Sequence, residues 1–158
     1  MRTKDKNGLG RRAVLKGAGL GALAVAGAGL TVREAQATPE TAAKSLAKHL
    51  GGATAKEGKV DLKLPEIAEN GRTVPVTITV DSPMTDGDYV KAIHVVADGN
   101  PTPEMISFVL SPNAGKAEIA TRVRLSKTQN VIAAAVMSDG SVYTGTKQVK
   151  VTIGGCGG

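Results

Sequence analysis

The 158-residue chain has no tryptophan, two tyrosines and one phenylalanine. Single-stranded nucleic acid is held by stacking its bases on aromatic side chains in a basic groove, and Tyr89, Phe108 and Tyr143 offer few such platforms. With one cysteine, no disulfide can form within the chain. Its two histidines, His49 and His94, lie far apart with no further ligand at metal-binding spacing, so both read as structural or surface residues. There is no Cys-x-x-Cys-His haem attachment, no P-loop and no G-x-S-x-G elbow. Asp86-Gly87-Asp88 lacks the other ligands of a calcium loop and reads as a solvated turn. Nothing assembles a nucleophile, a base and an oxyanion hole. The chain is therefore expected to be a non-enzyme, with no metal and no separate cofactor.

Long apolar runs are also missing. The longest, Gly17 to Val32, is rich in glycine and alanine and falls short of the roughly 20 predominantly apolar residues that span a bilayer. It follows Arg11-Arg12 and precedes Ala35-Gln36-Ala37, so the segment resembles a twin-arginine export signal cleaved after Ala37. Such signals carry folded proteins to the bacterial periplasm, which implies a periplasmic protein without stable membrane association. Residues 1–37 hold seven of the 20 Lys and Arg and two of the 14 Asp and Glu, leaving 13 bases against 12 acids in the mature chain. The basic pI of the precursor belongs largely to the signal. A nearly neutral domain without aromatic platforms is not expected to bind nucleic acid.

What the chain does carry is a thiol at its end. Cys156 stands between Gly154-Gly155 and Gly157-Gly158. Glycine lacks a Cβ, so the thiol has little steric cover and a pliable backbone. From Ile153, three extended residues reach roughly 10 Å, and residues 154–158 read as a flexible arm. An unpaired cysteine in an exported protein suggests intermolecular pairing or a reactive thiol. Nothing adjacent in sequence is cationic or able to begin a helix that would activate it, so activation is expected from a partner. Prenylation is excluded because only two residues follow the cysteine.

Between signal and arm, residues 38–153 form one domain. Thr38 and Pro39 open a helix that Gly51-Gly52 ends, with Leu46 and Leu50 on one face. The period then changes to two. Alternation or β-branched runs mark strands at Val60–Leu64, Val74–Val80, Tyr89–Ala97, Met105–Leu110, Ala117–Leu125, Val131–Met137 and Val142–Ile153. The last two flank Ser138-Asp139-Gly140-Ser141, a hairpin signal. Seven short strands without intervening helices predict an all-β, immunoglobulin-like antiparallel sandwich with a short N-terminal helix. A small barrel fits the same periodicity.

Several segments together, the terminal Gly-Gly-Cys-Gly-Gly, Val149–Ile153, Lys127–Ile132, the Met137–Gly140 turn and His94–Pro101, resemble the SoxY family of sulfur carriers in bacterial thiosulfate oxidation. The resemblance implies an immunoglobulin-like subunit that pairs with SoxZ as a heterodimer. It also implies that Cys156 binds the sulfur substrate covalently, with Gly154, Gly155, Gly157 and Gly158 as a swinging arm. The SoxAX cytochrome would join thiosulfate to the thiol, the manganese hydrolase SoxB would release sulfate and, where present, SoxCD would oxidise the remaining sulfur. Two other classes compete: a carrier using a C-terminal Gly-Gly thiocarboxylate, which an export signal opposes, and a structural sandwich cross-linked through Cys156.

Overall fold

Thr38 opens the described part of the chain, residues 38–155 of a computed structural model, by capping helix α1 (Pro39–Leu50). Its hydroxyl accepts the Thr41 N–H at 3.3 Å, and the Thr41 hydroxyl accepts the Thr38 N–H at 2.6 Å. This reciprocal box satisfies donors that a helix start leaves without partners. Gly51, at φ 58°, ends the helix in the left-handed conformation. Ala42 and Leu46 face Val96, Ala134 and Val142 on the outer side of a sheet.

Among the described residues nine strands follow: β1 (Ala55–Glu57), β2 (Val60–Lys63), β3 (Ile67–Asn70), β4 (Val74–Val80), β5 (Val90–Ala97), β6 (Glu104–Val109), β7 (Glu118–Val123), β8 (Gln129–Met137) and β9 (Val142–Ile153). Six form one sheet in the order β1-β9-β8-β5-β6, with β3 paired to the far end of β9. The other sheet is β2-β4-β7. Along β4, Val74, Val76, Ile78 and Val80 are buried while Pro75, Thr77 and Thr79 are not, as expected of a sheet packed on one face. β8 differs because both its faces are covered. Val131, Ala133, Ala135 and Met137 enter the core between the sheets, and Ala134 lies beneath α1. Its nearly continuous apolar run has that cause.

All seven strands expected from the sequence are present, and two open sheets rather than a closed barrel resolve the alternative. β1 and β3 were not expected. Both are short, with Ala68 their one buried residue, so neither shows alternation. Both run parallel to β9, with Ala55 opposite Val142 and Asn70 opposite Ile153. Asp86-Gly87-Asp88 lies in a turn closed by mutual Thr85 and Asp88 backbone bonds of 2.9 and 3.2 Å. The predicted hairpin joins β8 to β9, its Asp139 carboxylate accepting the Ser141 N–H at 2.8 Å.

The two histidines meet. His49, in the last turn of α1, stacks on His94 of β5 with ring centroids 4.4 Å apart and planes inclined by 21°. His49 Nε2 lies 3.0 Å from a Glu104 carboxylate oxygen, and His94 Nδ1 lies 2.8 Å from the Ser107 hydroxyl. Burial, and secondarily the neighbouring His49, hold His94 below the usual imidazole range, with Glu104 opposing. The unfolded chain therefore takes up a proton at His94 more readily than the folded one. The contribution is complete above the unfolded value of about 6.5 and is lost as pH falls through the lower folded value. Melting temperature should thus decline from neutral to mildly acidic pH, and His94→Phe, which keeps a stacking ring without a titrating group, should make that decline shallower. Identical declines in both proteins would exclude His94 as its source.

Candidate functional site

Strand β9 delivers the chain end to a crossing of three backbone segments. The Gly71 N–H donates to the Ile153 carbonyl at 2.7 Å, the Leu125 N–H to the Gly71 carbonyl at 2.8 Å, and the Gly155 N–H to the Leu125 carbonyl at 2.9 Å. The segments lie too close for side chains. A Cβ on Gly71 would strike the Leu125 carbonyl oxygen and stand 2.9 Å from both Gly155 N and a Val151 methyl. On Gly154 it would strike the Ser126 carbonyl oxygen, and on Gly155 the Gly71 carbonyl.

The arm expected from the sequence begins at Gly154; here Gly154 and Gly155 lie against the domain, where the lack of a Cβ permits close packing. Distance along the chain from the last residue of β9 suggested freedom, whereas the bonds come from Gly71 and Leu125, remote in sequence. Cys156, Gly157 and Gly158 lie outside the described residues, as do Arg11, Arg12 and Ala37.

The crossing rests on a buried polar cluster. Asn100 and Gln129 are the buried polar side chains among the described residues, 7% and 3% exposed. The Asn100 amide donates to the Arg124 carbonyl at 2.9 Å, and its oxygen accepts the Ser126 N–H at 3.0 Å and the Gln129 amide at 2.9 Å. Gln129 in turn accepts the Gly99 N–H at 2.8 Å, and the Ser126 hydroxyl donates to the Gly99 carbonyl at 2.7 Å. Asp98 holds the next residue, its carboxylate accepting both the backbone and amide N–H groups of Asn130. These bonds flank Leu125 and Ser126, whose carbonyls meet Gly155 and Gly154. A buried network with every member satisfied is rigid, since an unpaired polar group there is costly.

Sequence reasoning missed Gly71, Asn100, Ser126 and Gln129 as contributors. A signal was present: Asp98–Asn100 and Lys127–Asn130 lie in segments that carry the family resemblance, and both converge on the tail. Arg72 directly follows Gly71, and its backbone nitrogen lies beside Gly155. A cavity of about 270 Å³ adjoins the network, lined in part by Asn100, Glu104, Met105, Arg122 and Arg124. Among the described residues no three His, Cys, Asp or Glu side chains are grouped to hold a metal ion, and no helix is long and apolar enough to cross a membrane.

The family model described as sulfur oxidation protein SoxY matches residues 46–156. Among solved structures, the sulfur carrier protein SoxY from Chlorobium limicola f thiosulfatophilum is 32% identical, with a TM-score of 0.59, over 70% of this chain and 96% of that one. A superoxide reductase (neelaredoxin) from Ignicoccus hospitalis is similar at 18% identity and a TM-score of 0.53, over 72% of this chain and 92% of that one. A putative superoxide reductase from Thermotoga maritima follows at 20% identity and 0.53, over 61% and 93%. At such identities the reductases share the fold alone. No curated protein sequence matches significantly.

Proposed function

The chain belongs to the SoxY family, and we propose that it is a periplasmic carrier that binds thiosulfate-derived intermediates covalently on Cys156. The thiol is deprotonated and joined to the outer sulfur of thiosulfate, forming one S–S bond. The thiol proton goes to solvent and the electron pair to an acceptor, for which the SoxAX cytochrome is the proposed partner. Hydrolysis by SoxB then breaks the bond between the sulfane and sulfonate sulfurs. Water supplies the fourth oxygen of sulfate, a proton is released, and Cys156 keeps a persulfide. Where present, SoxCD oxidises that remaining sulfur. The carrier works in a heterodimer with SoxZ.

The observation that carries this reading is the position of the lone cysteine, one residue beyond a backbone crossing that accommodates only glycine. A carrier shared by several enzymes needs an accessible sulfur, because exchange and coupling at sulfur depend on access as well as thiolate character. The described fold contributes support for the tail, through the bonds that Gly71 and Leu125 make around Gly155. Mass spectrometry of the C-terminal peptide after incubation with thiosulfate and the coupling cytochrome tests the reading.

Export is tested separately. The mature protein should begin at Thr38, and changing Arg11 and Arg12 together to lysine should leave the precursor in the cytoplasm. Normal delivery of the Lys-Lys variant to the periplasm would contradict the twin-arginine route.

A further inference from the structure

We infer that Asn100, Ser126 and Gln129 are positioning residues for the thiol, which act by clamping the tail at Gly155. The inference deepens the carrier reading and rests on it for its functional part. The clamp has two layers. Outermost, the Gly155 N–H is held by the Leu125 carbonyl, and the Gly154 backbone lies against the Ser126 carbonyl. Beneath, Asn100 holds this stretch from both sides, through the Arg124 carbonyl and the Ser126 N–H, while Gln129 fixes Asn100 and the Gly99 loop. The Ser126 hydroxyl ties the stretch to the same loop. The side chains that orient residues 124–126 therefore orient the carbonyls that receive the tail.

The consequence for the carrier is geometric. With Gly155 held, the Cys156 Cα lies one peptide, about 3.8 Å, from a fixed point. Were the clamp absent, two further residues would swing and the thiol would sweep a much larger volume. A short tether raises the effective concentration of the sulfur where a docked enzyme expects it. Misplacing a reacting atom by about 1 Å can cost on the order of a hundredfold in rate. A small reagent, which approaches from any side, gains nothing from such placement.

Asn100→Ala, in the full mature chain with its partner subunit, tests the clamp by three readouts. Amide exchange should show the Gly155 N–H protected in the parent protein and exposed in the variant, while Ile78 and Ile93 in the core keep their protection. Coupling of thiosulfate to Cys156 by the cytochrome should slow on the order of tenfold, and alkylation of Cys156 by iodoacetamide should stay within about twofold. If Asn100→Ala also exposes the core amides, Ser126→Ala, which loses one hydrogen bond at a half-buried site, is read in its place and should show the same pattern more weakly. Retained Gly155 protection, or Gly155 exposed with coupling within twofold of the parent, would overturn the inference. Failure of the parent protein to be loaded would count against the carrier reading and leave the exchange result to decide the clamp.

Discussion

Replacing Gly71 with alanine should destabilise the domain by about 1–3 kcal/mol, the range for forcing an extra methyl into packed structure. The added carbon meets the Leu125 carbonyl oxygen, the Gly155 nitrogen and a Val151 methyl. The first two are backbone atoms and have no rotamer by which to move aside. Relief requires separating the three segments, which breaks the Gly71–Leu125 and Leu125–Gly155 hydrogen bonds and disturbs Leu125, which is fully buried. Against a total stability of roughly 5–15 kcal/mol the loss is readily seen in denaturant midpoints. Gly155→Val should behave similarly, since its side chain meets the Gly71 carbonyl and the Arg72 nitrogen. Gly157→Val is the control and should leave the midpoint unchanged. An unaltered midpoint for Gly71→Ala would mean that the three segments do not cross as described.

The family was legible from the sequence because its clearest motif is local: a lone cysteine among four glycines needs no fold to be recognised. Strand positions were equally accessible where burial alternates, as along β4. What stayed hidden depends on contacts between distant residues. β1 and β3 have little buried surface of their own and exist because β9 offers each an edge. Gly71 resembles any turn glycine until Leu125 and Gly155 are placed around it. His49 and His94, read as separate, form one stack because α1 lies across the sheet that contains β5. The packing of Gly154 and Gly155 against the domain belongs to the same class. Composition cannot separate a glycine that permits motion from one that permits close approach.

The second large effect is total loss of carrier function in Cys156→Ser. Serine preserves size and hydrogen bonding but has no sulfur to form the S–S bond with thiosulfate, and its hydroxyl does not ionise near neutral pH. Because position 156 lies beyond the Gly155 anchor, the midpoint of unfolding, the Gly155 amide protection and association with the partner subunit should all match the parent protein. The failure would then be chemical, with folding intact.

The most direct measurement is mass spectrometry of the C-terminal peptide from parent and Cys156→Ser proteins, each incubated with thiosulfate and the coupling cytochrome. The parent peptide should gain the mass of a thiosulfate adduct confined to Cys156, removable by a thiol reductant, and after the hydrolase acts it should retain a single extra sulfur. The serine peptide should gain nothing. A thiosulfate-dependent adduct on the serine variant, or an unmodified Cys156 in the parent after the cytochrome has been reduced, would contradict the assignment of Cys156 as the carrier.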